Sequence, residues 1–283
     1  MRAGALEAAL SPSLGGGLLW LTHGGTDILR HTAEGETSPL GFASFPLVPY
    51  ANRIANGRFS FRGGVHQMPL NFGDHPHSLH GHGWQTGWSV ERQSENEALL
   101  SLRHEADARW PWSFQVDHHV ALTPDTLSMA LTFLNLSSEE APVGLGFHPY
   151  FQSDDATLLQ FDAGEVWLST PDLLPERAVD ADHFGDWSTG ASVRGDMLID
   201  NIYGRWTGTA TITRGNGLRI GLKAEGADWL HVYRPPDLMA FCLEPVSHMP
   251  DAINSDGMEM LTPGASSTLS MTISVDGGDE TLP

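Results

Sequence analysis

No stretch of a dozen residues in this chain of 283 keeps a helical period, whereas short alternating or β-rich segments recur with turn signals between them. A chain of that kind can bury its apolar side chains only by packing sheets, so an all-β protein is expected. Residues 58–62 put Phe59 and Phe61 on one face and Arg58, Ser60 and Arg62 on the other, and Gly63-Gly64 then turns into 65–70. Similar hairpins are expected at 113–122 with 127–135 around TPDT, and at 209–213 with 218–224 around GNG. Further strands are expected at 87–92, 98–104, 229–234, 239–244 and 267–275. So many strands without interleaved helices favour a single large antiparallel β-sandwich over a barrel or a parallel sheet. With no repeat and no linker, one domain is expected over 1–283, with 171–200, richer in Pro, Asp and Gly, as a long connection.

Thirty-five acidic residues against fifteen basic ones give a formal charge of -20, which repels phosphate backbones and anionic headgroups. No nucleic acid and no membrane surface is expected as a partner. The single cysteine, Cys242, allows no internal disulfide and no cysteine-based zinc cluster, and reads as a small buried hydrophobe. The N-terminus has no basic region leading into an apolar stretch of signal-peptide length, and no run reaches membrane-spanning length. A cytoplasmic location is the expectation, with monomer and homodimer both open.

Between His75 and Trp84 the chain reads HPHSLHGHGW. In an extended segment His75 and His77 share one face, and His80 and His82 share another, a spacing open to a divalent metal. A cupin-like metal site would also need a glutamate a few residues on, yet no carboxylate follows until Glu91. No metal and no cofactor is therefore expected. The plain alternative for each histidine is a polar loop.

Three tracts combine glycine or proline with polar groups: NRIANGRF at 52–59, GFHPYF at 146–151 and CLEPVSHMPDAIN at 242–254. Glu244 follows an apolar run, so burial would raise its carboxyl, unless it serves as the partner of an arginine. His148 sits between Phe147 and Pro149, where an imidazole is either a reactive group or simply bonded to backbone. Trp84, Trp88 and Trp206 read as core residues or as platforms for a sugar ring.

In order along the chain these tracts resemble the aldose 1-epimerase (galactose mutarotase) family. The resemblance runs from SPSLGGGLLWLTHGGTDILR at 11–30 through Asn52-Arg53-Ile54 with Gly57 and Phe59, then Leu79-His80-Gly81. It continues through His148 with Tyr150-Phe151, Asp200-Asn201, and Glu244 with Pro250-Asp251-Ala252 and Asn254. It implies a galactose mutarotase-like supersandwich and interconversion of the α and β anomers of an aldose. It further implies Glu244 as the base, His148 as the acid, and Arg53, His80 and Asp200 holding hydroxyls or the ring oxygen. Asn52 and His82 follow as lesser sugar contacts. The proline after His148, the extra residue between Glu244 and Pro250, and the lack of a double glycine in LHGHGW mark a divergent branch.

Anomer exchange takes a proton from the C1 hydroxyl and delivers one to the ring oxygen, so one acid and one base suffice, each contributing about 10²- to 10⁴-fold. Asp200 is expected to keep His148 charged, and Arg53 to hold Glu244 ionised. Two rival readings share the resemblance: a hexose-6-phosphate mutarotase using the basic cluster of Arg58 and Arg62, and a carbohydrate-binding protein without chemistry.

Overall fold

Alternation is visible residue by residue in the hairpin of Phe114–Thr123 and Thr126–Asn135, where Phe114, Val116, His118, Val120 and Leu122 are buried and the residues between them are not. That two-residue period is what a strand half-buried against a core produces. The computed structural model describes residues 1–255 and 257–276. Of the domain expected over 1–283, Asp256 and 277–283 therefore lie outside the described residues.

The strands form two large antiparallel sheets packed face to face, an all-β sandwich. The nine-stranded sheet runs, in spatial order, from Ser89–Gln93 and Glu97–His104 through the hairpin above to Ser266–Asp276, Arg219–Glu225, Thr209–Thr213, Leu158–Phe161 and Ala191–Ser192. The centre of the twelve-stranded sheet is Tyr150–Gln152, Ala240–Val246, Trp229–Arg234 and Ile199–Gly204, in that order. The four 3₁₀ turns described are three residues each, so loops and strands do the positioning.

Apolar side chains from both sheets meet in the main core: Phe151, Leu230, Val232, Phe241 and Leu243 from one, Leu100, Val116, Met129, Leu269 and Ile273 from the other. The outer face of the twelve-stranded sheet carries a second, smaller cluster, with Cys242, Tyr150, Ile202 and Leu47 on the sheet and Phe45, Ala51 and Trp84 from the segments that cover it. Trp84, Trp88 and Trp206 are all core residues.

Two expectations change. The strand expected over 65–70 ends at Gln67, because Met68 donates its N–H to the Gly57 carbonyl and Pro69 has none to give. The 171–200 connection holds the strands Pro175–Val179 and Ala191–Ser192, the first of them pairing with Glu165–Ser169 at a sheet edge. Edge strands largely open to solvent lack the alternation by which a buried strand is recognised.

Candidate active site

Strand register sets two rows of side chains side by side on the outer face of the twelve-stranded sheet. Tyr150 opposes Cys242, Cys242 opposes Tyr233, and Tyr233 opposes Asp200. Two residues along, His231 is flanked by Glu244 and Ile202, with His148 just before the Tyr150 strand. Pairing partners in antiparallel sheets point the same way, so these groups converge over one floor. The cleft above holds about 300 Å³ and is lined by Asn52, Arg53, His75, His80, His148, Asp200, His231 and Glu244, with Leu40, Phe72, Leu173 and Leu198 among its carbon surfaces.

The reacting pair expected from the sequence is in contact: His148 Nε2 lies 3.2 Å from Glu244 Oε1. Glu244 is 2% exposed, and among the described residues neither its Oε2 nor His148 Nδ1 has a hydrogen-bond partner. Burial lifts the Glu244 carboxyl well above the usual range, helped by the Asp200 charge and opposed by Arg53. Burial also lowers His148 to about 3, with His231 and Arg30 acting the same way. Burial thus favours the neutral form of both groups, with one proton between them. This differs from the expectations that Asp200 charges His148 and that Arg53 holds Glu244 ionised, because Asp200 and Arg53 are turned to other partners and burial dominates at both groups.

Those partners close a ring. Arg53 Nη2 donates to Asp200 Oδ2 at 3.0 Å, and Arg53 Nη1 donates to Asn52 Oδ1 at 3.0 Å. Asn52 Nδ2 lies 3.4 Å from His231 Nδ1, and His231 Nε2 lies 2.6 Å from Asp200 Oδ1. With Asn52 as donor, His231 accepts at Nδ1 and donates at Nε2. Burial alone would raise the Asp200 carboxyl, but its contacts with His231 and the Arg53 guanidinium outweigh that and hold it far below the carboxylate range. The ring is a fixed set of charged donors and acceptors suited to reading hydroxyls.

The histidine-rich tract is a loop clamp. His80 Nδ1 accepts the Asn52 N–H at 3.0 Å, which places its own proton on Nε2. His77 Nδ1 accepts the Asn56 N–H at 3.0 Å, and His75 Nε2 stands 3.5 Å from Arg53 Nε at the edge of the cleft. His82, expected as a lesser sugar contact, does not line the cleft. It is buried against His104 and Phe114, and burial lowers it to about 3. The turn at Gly81, where a Cβ would meet the Val48 carbonyl carbon at 2.5 Å, sends His80 and His82 to different sides. Asp251 accepts the Ala55 N–H at 2.9 Å and gives its own N–H to the Arg53 carbonyl at 2.7 Å, which fixes the Arg53 segment.

His148, Cys242 and Glu244 bring one potential ligand atom each within 4.8 Å of one another. Burial raises both the Cys242 thiol and the Glu244 carboxyl, which opposes the anionic ligands a divalent ion needs.

The sequence profile of the aldose 1-epimerase family matches residues 1–274. The chain belongs to that family. The aldose 1-epimerase family acts on sugars, which agrees with a cleft that gathers polar side chains around a buried histidine–glutamate contact. Among relatives, the uncharacterized protein YphB of Escherichia coli K12 is 30% identical over 253 residues, covering 82% of this chain and 83% of that one. A crystal structure from Escherichia coli K12, described as a candidate aldose 1-epimerase, superposes with a TM-score of 0.90 at 28% identity, covering 98% and 97% of the two chains. A galactose mutarotase-like protein from Clostridium acetobutylicum gives 0.83 at 19% identity, covering 98% and 94%, and shares the fold.

Sequence reading of this aldose 1-epimerase family member did not single out His231. Its signal lies in the segment WLHVYR, where Trp229, His231 and Tyr233 alternate with the core residues Leu230 and Val232. A histidine on the outward face of an apolar central strand needs partners there.

Proposed function

We propose that the cleft interconverts the α and β anomers of a free aldose, with Glu244 and His148 exchanging protons with the C1 hydroxyl and the ring oxygen. The observation that carries this reading is the buried contact of 3.2 Å between His148 Nε2 and Glu244 Oε1 at the base of an open, hydroxyl-reading cleft. Ring opening takes one proton from the sugar and gives one back: the shared proton first moves from Glu244 to His148 across their 3.2 Å contact, and the pair then passes from glutamate with imidazolium back to glutamic acid with imidazole as the C1 hydroxyl gives up a proton and the ring oxygen receives one. Closure on the other face of C1 reverses the transfers and restores the pair. Asn52, Arg53, His80 and Asp200 hold the ring hydroxyls, and no residue in the cycle needs a cofactor.

A 6-phosphate substrate is the weaker reading. Arg58 and Arg62, its expected anchors, do not line the cleft, and Arg62 is paired with Glu140. Among the described residues Arg53 is the only arginine or lysine on the lining, and Asp200 already neutralises it. A binding protein would not need a buried acid and base in contact.

Polarimetry on freshly dissolved aldoses tests the proposal. At least one free sugar should equilibrate faster with the protein, and Glu244→Gln and His148→Asn should each lose about 10²-fold or more. Near-native rates in either variant would overturn the assignment.

A further inference from the structure

Resting on the anomer exchange proposed above, we infer that the turn 170–174 is a clamp on the sugar, with Leu173 pressed against the C–H face of the pyranose and Asp172 fastening the turn to His77. The turn joins the strands Glu165–Ser169 and Pro175–Val179 at the sheet edge. Trp167 pairs with Ile202, so Ser169 ends its strand level with Asp200 and the turn reaches the cleft from that side. Leu173 lines the cleft and has a φ of +69°. Glycine or asparagine adopts that left-handed conformation at less cost than leucine. Packing does not offset the difference, because Leu173 is a member of neither apolar core. Hydrogen bonds hold the conformation: Leu173 donates its N–H to the Thr170 carbonyl at 2.9 Å, and Leu174 donates its own to Thr170 Oγ1 at 3.0 Å. A strained side chain that faces a cleft and serves no core is the mark of a binding role.

The anchor of the clamp is His77, which neither the reacting pair nor the ring around Asp200 uses. Its Nδ1 accepts the Asn56 N–H, which leaves its own proton on Nε2. That Nε2 is buried, has no hydrogen-bond partner among the described residues, and lies 3.4 Å from Asp172 Oδ2. A buried N–H without a partner costs stability, and a movement of the turn by about half an ångström would supply one. A pyranose carries its hydroxyls at the rim and C–H groups on its faces. With the hydroxyls held by Asn52, Arg53, His80 and Asp200, an apolar side chain above the ring meets those C–H groups and keeps water from the reacting pair. Leu198, also on the lining, continues the same surface. Closing the turn seats Leu173 on the sugar and completes the hydrogen bond from His77 to Asp172 in one movement.

The test sets binding against stability in the full-length protein, using the free aldose that polarimetry shows to be turned over fastest. Leu173→Gly and Leu173→Asn suit a left-handed residue but remove the apolar contact. In both, the thermal midpoint should hold or rise while KM rises about tenfold, with a smaller change in kcat. Leu173→Met keeps the apolar bulk and should keep KM near native. Asp172→Ala releases the turn from His77 and should raise KM by a smaller factor than Leu173→Gly. A native KM in Asp172→Ala, or in both Leu173→Gly and Leu173→Asn, overturns the inference and leaves the proposed reaction standing. A fall of the midpoint in both Leu173→Gly and Leu173→Asn also overturns it, since the leucine would then serve the fold. A wild-type protein that turns over every free aldose no faster than Glu244→Gln does would defeat the proposed reaction, and the clamp with it.

Discussion

Along the strand Ala240–Val246 two environments alternate with every residue: Phe241 and Leu243 enter the core between the sheets, while Cys242 and Glu244 stand on the outer face. Both pairs are buried, yet for different reasons. On the inner face, burial removes carbon from water and stabilises the fold, roughly 1.5–3 kcal/mol for each large apolar side chain. On the outer face, burial under the loops around Asn52 and His80 takes an acid and a base out of water and so costs stability. The inner face gives the strand its fixed register, and the outer face uses that register to hold Glu244, His231 and Asp200 in place without a mobile element. Scaffold and site are thus two sides of the same four strands.

The comparison breaks most sharply at Glu244. Glu244→Gln should lower the mutarotation rate by about 10²- to 10⁴-fold while the thermal midpoint holds or rises, since a buried carboxyl of raised pKa is removed. A large fall in the midpoint would mean that the outer face also carries the fold. Three residues earlier the effect should invert. Phe241→Ala, at 1% exposure, should cost about 3–5 kcal/mol in denaturant unfolding, while the folded fraction keeps its turnover per molecule.

The ring around Asp200 should give an intermediate effect. His231→Leu removes one link and leaves the reacting pair untouched, so KM should rise about tenfold or more with a smaller change in kcat, and His231→Gln should restore part of it. An equal fall in kcat alone would place His231 in the proton transfers instead.

The smallest effect concerns acid. Burial lowers His82 and His148 to about 3 and His118 and His248 to about 4 in the fold. Below the ordinary imidazole value the unfolded chain takes protons that the fold refuses. The stability these histidines contribute is therefore full above pH about 6.5 and is lost as pH falls toward about 4, by up to about 1.4 kcal/mol per pH unit for each of them. His82→Leu should flatten that limb by one such contribution in urea titrations at stepped pH, with mutarotation at pH 7 retained. Loss of activity in His82→Leu at pH 7 would return His82 to the site.

Much of this was legible because it is local. The hairpins at 113–135 and 209–224, and the strands carrying Glu244 and His231, follow from a two-residue period that needs no knowledge of neighbours. The ordered tracts around Asn52, His80, His148, Asp200 and Glu244 pointed to the groups that share the cleft. What was not legible depends on distant pairing. His231 matters because its strand lies between those of Glu244 and Asp200, a register that no local pattern encodes. His82 looked equivalent to His80, but the chain turns at Gly81, and only the packing of Val48 against that glycine shows that the two histidines part. The charge state of His148 is not encoded locally, because the partners of Asp200, Arg53 and His231, lie far from Asp200 in sequence.

The alternation within Ala240–Val246 also governs how such a chain can change length. The connection 235–239 between the two central strands lies outside the sheet and tolerates added or lost residues, since loop closure depends only weakly on length. One residue gained or lost between Phe241 and Glu244 is a different event. It would turn the carboxylate into the sandwich interior and push a leucine or phenylalanine out among the polar groups of the cleft. Descendants of this chain are therefore free to diverge by insertion in their loops, while the spacing inside this strand is held to a fixed count.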